Sequence, residues 1–236
     1  MIKVVTFDLW NTLLMDRNYT DLRSRYLADI LKEQRIVRKR EEIIEAYVST
    51  QDYVHEIWEK ENYRNVTTEE RVNHILQNLH VKLPKEIKNL ITREFEEAIL
   101  EDLPPLVSGV KETLETLSIK YKLGIISDTG FTLGYVCRKV LNKSGVLNHF
   151  SSTTFSDEVH FNKPHRIIFE TALRELNTYP SEAVHVGDLL QTDVAGAKAI
   201  GMKAVWINLK GKVGAKDIHP DYEISDLPEI ITVLSS

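Results

Sequence analysis

The sequence predicts a three-layer, Rossmann-like α/β fold, in which an all-helical domain is inserted into a doubly wound parallel sheet. Short, β-branched apolar runs alternate with helix-like segments at the start of the chain and again from residue 104 onwards. The segment between them has only the apolar spacing of amphipathic helices. Strands that alternate with helices of roughly 10–15 residues form crossover units, which build a parallel sheet covered by helices.

The first predicted strand covers residues 2–8, Ile-Lys-Val-Val-Thr-Phe-Asp. A mostly apolar, β-branched run of this kind is typical of a strand buried on both faces of a parallel sheet. Similar runs predict further strands at residues 121–127, 183–186 and 204–208. Helix-like segments predict the outer layers at residues 107–118, 131–143, 164–176 and 190–200. Polar groups that follow the strands should gather at one edge of the sheet, where such folds bind their ligands.

Residues 16–103, which we call the cap segment, do not follow the alternation of strand and helix. Apolar residues such as Leu27 and Leu31 recur there with helical spacing, and no convincing strand separates the helices. We therefore predict two domains. The first is a Rossmann-like catalytic core of residues 1–15 and 104–236, and the second is a helical cap of residues 16–103.

Composition and charge exclude several classes of protein. The chain has 30 Lys and Arg against 35 Asp and Glu, a formal net charge of −5, which gives no bulk signal for nucleic-acid binding. Its apolar runs are far shorter than the roughly 20 residues that cross a bilayer. The single cysteine, Cys137, cannot form an internal disulfide, so we expect a cytoplasmic location. We expect no nucleic-acid or membrane partner, and the sequence does not indicate an oligomeric state.

Four groups of polar residues carry the chemistry. Asp8 ends the first strand, Thr12 follows four residues later, and Ser127 ends the second strand. Lys163 lies in the stretch Asn-Lys-Pro-His, and residues 187–193 read Gly-Asp-Leu-Leu-Gln-Thr-Asp. Each group alone is a weak signal. In this order and spacing, the chain resembles the haloacid dehalogenase-like hydrolase superfamily, in its capped form with a helical insert between the first two motifs.

The resemblance implies roles for these residues. Asp8 would be the nucleophile that forms a transient covalent ester with the substrate, and Ser127 and Lys163 would also be catalytic. A carboxylate repels a phosphoryl group, so its attack requires neutralising charge. Lys163 would supply positive charge, and Ser127 would donate a hydrogen bond to the transferring group. The residues implied to bind the substrate are Asn11, Thr12, Asp128 and Thr129.

The same resemblance implies a Mg²⁺ ion as the cofactor. Its protein ligands would be the carboxylates of Asp8 and Asp188 and the backbone carbonyl of Trp10, an all-oxygen set that suits Mg²⁺. Asp193 would act indirectly by orienting Lys163 or a metal-bound water, although direct ligation stays open.

Trp10 is the position at which this chain departs from the family pattern. Most phosphatases of the superfamily have an aspartate there, which protonates the leaving alcohol and later activates water. Such assistance is worth ~10²–10⁴-fold in rate. We therefore expect a Mg²⁺-dependent phosphohydrolase for a small phosphorylated metabolite that is slow or favours good leaving groups. Alternatively, a cap residue such as His55 or Glu56 supplies the missing acid or base.

Two other functions stay open. Dehalogenases of the superfamily also lack the second aspartate and have an aromatic Tyr at that position, so a metal-independent 2-haloacid dehalogenase with Asp8 as nucleophile is the first alternative. Their fourth motif generally has Ser and Asn where this chain has Gly187 and Asp188, and added negative charge disfavours an anionic haloacid. The second alternative is a low-turnover protein that binds a phosphorylated metabolite.

The cap segment is expected to close over the active site, to exclude water and to set specificity. Its hinges would lie near residues 15–16 and 102–105. His185 is expected to be only part of a buried strand. Cap side chains that could reach a substrate, unless they pack inside the cap, are Arg17, Tyr19, Arg23, Trp58 and Tyr63.

Overall fold

Six parallel strands form one sheet in the computed structural model, which describes residues 1–235. The strands are β1 (Val4–Phe7), β2 (Lys122–Ser127), β3 (Phe150–Phe155), β4 (Ala183–Gly187), β5 (Lys203–Ile207) and β6 (Tyr222–Ile224). Their order across the sheet is β3-β2-β1-β4-β5-β6, and every neighbouring pair is parallel. This confirms the predicted doubly wound α/β class. Residue 236, the end of the predicted core, lies outside the described residues.

Strands β3 and β6 were not predicted, because neither has an apolar, β-branched run. The sequence of β3 is Phe-Ser-Ser-Thr-Thr-Phe, and the strand lies at one edge of the sheet. There the hydroxyls of Ser152 and Thr154 donate hydrogen bonds to the Glu175 carboxylate at 2.5 and 3.2 Å. β6 has three residues and forms the opposite edge. An edge strand has one neighbour only, so less of its sequence must be apolar.

The cap segment contains five α-helices and no strand. They are α1 (Thr20–Glu33), α2 (Arg40–Val48), α3 (Thr50–Lys60), α4 (Thr68–Asn78) and α5 (Lys85–Glu97), with a 3₁₀ turn at Ala98–Leu100. Apolar residues of four of these helices pack into a separate core that includes Leu27, Ile75 and Phe95. At the start of α4, Thr67 and Glu70 form a capping box through reciprocal hydrogen bonds to backbone N–H groups. The insert is therefore helical as predicted, while its domain bounds stay a prediction.

The remaining helices cover the sheet. They are α6 (Val110–Ser118), α7 (Gly134–Lys143), α8 (Ser156–Val159), α9 (Arg166–Glu175), α10 (Ala195–Ala199) and α11 (Glu229–Val233), with 3₁₀ turns at Leu147–His149 and Pro180–Glu182. Helices α6, α7 and α11 share a core with Val5 and Phe7, whereas α9 and α10 pack with Val4 on the other face. The helix predicted at residues 190–200 begins as a π-helical turn, Leu190–Val194. Across residues 1–235, no helix is long and apolar enough to span a membrane.

A further connection joins the cap segment to the core, apart from the two predicted hinges. The Asn65 N–H donates to the carbonyl of His160 at 2.9 Å, and the Asn162 N–H donates to the carbonyl of Tyr63 at 2.8 Å. Lys163 follows directly in the sequence. The loop between α3 and α4 therefore helps to hold the backbone that carries this lysine.

Candidate active site

Asp8 and Lys163 form a buried ion pair at the carboxyl edge of the sheet, where the winding reverses between β1 and β4. Lys163 Nζ donates to Asp8 Oδ1 at 2.6 Å and to the carbonyl of Ile126 at 3.1 Å. The lysine side chain is 2% exposed. Burial alone would lower the pKa of Lys163, but the carboxylates of Asp193 and Asp8 outweigh it and hold that pKa above its ordinary value. Lys163 is therefore a fixed positive charge beside Asp8.

Asp193 holds Lys163 from the other side. Its Oδ1 accepts a hydrogen bond from Lys163 Nζ at 2.6 Å and lies 3.2 Å from His185 Nε2, while its Oδ2 accepts from the Leu189 N–H at 2.9 Å. Burial would raise the pKa of Asp193, but Lys163 and His185 together lower it. An ionised, anchored Asp193 agrees with the orienting role predicted for it, which stays a prediction.

The turn after β4 brings Asp193 against the strand because residue 187 is glycine. A Cβ atom at Gly187 would lie 2.2 Å from Asp193 Cγ, which leaves no room for a side chain. His185 is buried within β4, as expected, but it is also part of this network. Its Nδ1 lies 3.0 Å from Thr6 Oγ1, and its other ring nitrogen faces Asp193. Strand β4 thus helps to position Asp193 through His185.

Three carboxylates meet at this edge of the sheet. Asp8, Asp188 and Asp193 each bring one oxygen within 4.8 Å of the others. Burial, followed by the negative charge of Asp8, raises the pKa of Asp188 to about 7. Burial also raises the pKa of Asp8, although the charge of Lys163 opposes the rise. One lysine does not balance three acids, so the oxygen cluster fits a divalent cation with the preferences of Mg²⁺.

Asp128 is a fourth acid next to this group. Its Oδ1 accepts a hydrogen bond from the backbone N–H of Lys163 at 2.8 Å. Burial raises the pKa of Asp128 to about 7, although Lys163 opposes the rise. Thr129 follows it, with its N–H donating to Ser156 Oγ at 2.8 Å. These contacts fix the loop after β2 against the loop that carries Lys163.

The site opens into a cleft of about 940 Å³ between the sheet edge and the cap segment. Three of the four predicted substrate-binding residues line it: Asn11, Asp128 and Thr129. Thr12 is fully buried and, within residues 1–235, it neither lines the cleft nor has a hydrogen-bond partner for its hydroxyl. Ser127 is also fully buried at the end of β2, and its hydroxyl lies 3.4 Å from the Asp128 carbonyl. Trp10 lines the cleft and is partly buried.

Several predicted cap residues reach the cleft: Arg17, Tyr19, Arg23, Trp58 and His55. Tyr63 does not line the cleft, and Glu56 forms an ion pair with Lys60 at the surface. Arg71 also lines the cleft but was not a candidate from the sequence. It lies one turn before Ile75 on the buried face of α4. A charged residue within an apolar stripe is a sequence signal that could have pointed to it.

The chain is similar in sequence and structure to proteins that are named as phosphatases and as a dehalogenase. A curated glyceraldehyde 3-phosphate phosphatase from Pyrococcus furiosus is 37% identical over 133 residues, which are 54% of each chain. The chain thus spans about half the length of this relative. A solved HAD phosphatase from Thermococcus onnurineus is 29% identical, with a TM-score of 0.65 over 99% of this chain and 98% of that one. A solved 2-haloacid dehalogenase from Pseudomonas syringae is 28% identical, with a TM-score of 0.74 over 100% and 99%.

The haloacid dehalogenase-like hydrolase family model matches residues 7–207, which include the predicted nucleophile, the cap segment and all four motifs. This match covers most of the chain, and the parallel sheet has the architecture of the solved relatives. The chain therefore belongs to the haloacid dehalogenase-like hydrolase family.

Proposed function

We propose that this chain is a Mg²⁺-dependent phosphohydrolase, which removes the phosphoryl group of a small phosphorylated metabolite through an aspartyl-phosphate on Asp8. The observation that carries the proposal is the buried Asp8–Lys163 ion pair beside the carboxylate of Asp188. The pair combines a nucleophile, a fixed positive charge and an oxygen-rich cation site in one cleft. A similar archaeal protein named as a phosphatase supports the reaction class.

Asp8 is the nucleophile in this proposal. Lys163 holds Oδ1, and no donor among residues 1–235 is hydrogen-bonded to Oδ2, so this second oxygen is the one that attacks phosphorus. As the Oδ2–phosphorus bond forms, the bond from phosphorus to the leaving oxygen breaks, and that oxygen keeps the electron pair and takes up a proton. Water then attacks phosphorus, the bond to Oδ2 breaks, a proton passes to solvent, and free phosphate leaves.

Positive charge offsets the repulsion between Asp8 and the phosphoryl oxygens. Lys163 supplies it from within the protein, held in place by Asp193 and the carbonyl of Ile126. Mg²⁺ bound by Asp8, Asp188 and the Trp10 carbonyl would add charge that neutralises phosphoryl oxygens. Asn11 and Thr129 line the cleft where the phosphoryl group would bind.

Proton supply sets the preferred leaving group. Trp10 lines the cleft where the family's usual acid would stand, and an indole cannot donate a proton to an alkoxide. Of the two cap residues considered as replacements, His55 reaches the cleft, whereas Glu56 faces solvent and is bound to Lys60. We therefore expect aryl and acyl phosphates, whose leaving groups need little protonation, to be hydrolysed faster than alkyl phosphates.

Dehalogenation is the second candidate, because Trp10 is aromatic and a solved 2-haloacid dehalogenase is 28% identical. The acid cluster weighs against it. Asp188 lies beside Asp8, and its pKa is raised by burial and then by that neighbour's charge, so a metal-free site would repel an anionic haloacid.

Phosphate release from phenyl phosphate tests the proposal. The assay compares wild type with Mg²⁺, wild type with excess chelator, and Asp8→Asn with Mg²⁺. We expect turnover only in the first sample, because the other two lack the cation or the nucleophile. Undiminished turnover by Asp8→Asn would contradict the proposal. If no sample releases phosphate but wild type releases halide from a 2-haloacid, dehalogenation is favoured. If neither phosphate nor halide is released, a binding-only role is favoured.

A further inference from the structure

Two buried arginines on the cap side of the cleft have no acidic partner. Arg23 on α1 and Arg71 on α4 are 6% and 7% exposed, and both line the cleft. Among residues 1–235, no carboxylate oxygen lies within 4.0 Å of either guanidinium group. Several, though not all, of the other arginines of the cap segment do form ion pairs: Arg17 with Asp102, Arg25 with Glu101, Arg40 with Asp21 and Arg93 with Glu97.

The hydrogen bonds of these two arginines do not balance their charge. Arg23 donates to neutral oxygens only: the Phe95 carbonyl at 2.8 Å, Thr132 Oγ1 at 3.0 Å and the Tyr47 hydroxyl at 3.2 Å. Arg71 donates from Nε to the Val66 carbonyl at 3.1 Å. Its two terminal nitrogens have no hydrogen-bond acceptor in the described part of the chain, and they belong to a side chain that lines the cleft.

An aromatic ring holds both guanidinium groups in place. The Cζ atoms of Arg23 and Arg71 lie 5.1 and 5.5 Å from the centroid of the Phe131 ring, and the ring of Tyr47 stacks on Phe131 at 5.0 Å. Attraction to a ring face offsets only part of the free energy lost when a charge leaves water. Two unpaired buried charges beside an open cleft therefore indicate a site that is completed by an anionic ligand.

The charges of the cleft are divided between its two walls. The acids of the core wall are Asp8, Asp128, Asp188 and Asp193, with Lys163 and Lys212 among them, whereas Arg23 and Arg71 lie on the cap wall. Asp16, at the start of the cap segment, is exposed and forms no ion pair with them. A ligand could bind one anionic group at the core wall through a cation. A second anionic group of the same ligand would then have room at the cap wall.

We propose that Arg23 and Arg71 form a second anion site, which binds a carboxylate or a second phosphoryl group carried by the leaving-group portion of the substrate. This inference rests on the proposed function, which assigns the first phosphoryl group to Asp8. The planar guanidinium group presents paired N–H donors that match the two oxygens of such a group. The substrate class is therefore a phosphomonoester with a second oxyanion, long enough to reach from the core wall to the cap wall.

Calorimetric titration with non-hydrolysable probes tests this site in the wild-type chain with Mg²⁺. The reference probe is phenylphosphonate, which has one anionic group. The test probes are 3-phosphonobenzoate and 4-phosphonobenzoate, which add a carboxylate, and 1,4-phenylenediphosphonate, which adds a second phosphonate. We expect at least one test probe to bind tenfold or more tightly than the reference, and the better class identifies the preferred oxyanion. Equal or weaker binding of all three would overturn the inference.

Variants then locate the effect. Arg23→Gln and Arg71→Gln should each reduce the tenfold advantage to less than threefold, whereas Arg93→Gln, which removes an exposed cap arginine, should keep it. Arg71→Lys retains the buried charge and controls for loss of folding, because it should keep part of the advantage. An advantage that survives in both glutamine variants would place the second anion elsewhere and overturn the inference.

The same samples separate this inference from the proposed function. The chain could release phosphate from phenyl phosphate and yet bind the two-anion probes no more tightly than phenylphosphonate. This result would overturn the second anion site alone. An arginine-dependent advantage without phosphate release from any substrate would overturn the phosphohydrolase proposal and leave the anion site standing.

Discussion

In the proposed reaction, the departure of the leaving group depends on whether a nearby side chain can donate a proton to it. In the proposed mechanism, Trp10 stands where a carboxylic acid would protonate the leaving oxygen, and its indole packs against the sheet core while lining the cleft. Lys163 is committed to two carboxylates and holds its proton strongly, so it cannot replace that acid. At the residue scale, the proposed mechanism therefore favours leaving groups that are stable as anions.

Trp10→Asp should raise kcat/KM for an alkyl phosphate by about tenfold or more, because a positioned general acid contributes ~10²–10⁴-fold. Activity towards phenyl phosphate should change far less, since its leaving group needs little protonation. Trp10→Asn is the matched control, with the same shape and no acid. Equal gains in the Asp and Asn variants would show that the space freed by the indole, not proton donation, caused them. Loss of folding in both would show that Trp10 is mainly a packing residue.

Asp128 should make the stability of the chain fall as the pH rises from about 4 to about 7. An aspartate in the unfolded chain ionises near pH 3.8, whereas burial raises the pKa of Asp128 in the folded chain to about 7. Between these values the folded chain binds the extra proton, so stability decreases from about pH 4 to pH 7 and the loss is complete above pH 7.

Asp128→Asn removes that ionisation and keeps an oxygen that can accept from the Lys163 N–H. We expect its Tm advantage over wild type to be larger at pH 8 than at pH 5. If the stability gained by Asp128→Asn differs between the two pH values by about 1 kcal/mol, its Tm advantage should differ by roughly 2–4 °C in a chain of this length. Asp217→Asn, which changes an exposed acid, should show no such trend. A pH-independent advantage for Asp128→Asn would contradict the raised pKa.

At the scale of elements, the junction after β4 is closely packed around Asp193. The π-helical turn that follows it places Asp193 where Lys163, His185 and the Leu189 N–H all bind its carboxylate. The sequence predicted an ordinary helix there, because residue spacing alone does not reveal one extra residue in a turn. The prediction of acids at this strand end did not depend on the helix type, so the candidate site was unaffected.

Gly187→Ala should damage this junction. The new Cβ would lie 2.2 Å from Asp193 Cγ, and the three hydrogen bonds of Asp193 prevent it from moving aside cheaply. Overpacking of this kind costs about 1–3 kcal/mol, so we expect a lower Tm and reduced phosphate release. Gly214→Ala is the control, because its nearest neighbour would be 3.9 Å away. A Gly187→Ala chain with wild-type Tm would show that Asp193 is not held as tightly as its contacts indicate.

At the scale of the whole molecule, the residues proposed to bind the cation and the phosphoryl group come from distant parts of the chain. Asp8 follows β1 and Asp188 follows β4, and these strands are neighbours only because the winding of the sheet reverses between them. Burial, followed by the negative charge of Asp8, raises the pKa of Asp188, so a divalent cation should stabilise the fold as well as assist the proposed reaction.

Mg²⁺ should raise the Tm of the wild-type chain and have little effect on Asp188→Asn. A ligand at 100 times its Kd stabilises a folded protein by about 2.7 kcal/mol, which is measurable by thermal denaturation. Asp217→Asn should respond like wild type, since it changes an exposed acid. An undiminished response in Asp188→Asn would exclude its carboxylate from the cation site. No response in wild type would contradict Mg²⁺ binding.

Patterns in the sequence predicted the parallel sheet, the helical insert and the residues at the strand ends. Asp8 and Asp188 could be predicted because each directly follows a strand and the fold places strand ends together, whereas Lys163, which lies in the loop after α8, was predicted from the resemblance. Two features could not be identified. The polar edge strand β3 has no apolar pattern, and the unpaired charge of Arg71 becomes visible only when the surroundings of each arginine are known.

Reductive trapping of Asp8 tests the central claim most directly. Wild type is mixed with phenyl phosphate and Mg²⁺, quenched during turnover, treated with borohydride, and digested for mass spectrometry of the peptide that contains residue 8. Borohydride reduces an aspartyl-phosphate to homoserine and leaves a free aspartate unchanged. A control sample is treated in the same way without phenyl phosphate. We predict aspartate at position 8 in the control and homoserine at position 8 in the sample with substrate. Phosphate release in that sample with Asp8 unmodified, or homoserine at another aspartate, would contradict an aspartyl-phosphate on Asp8.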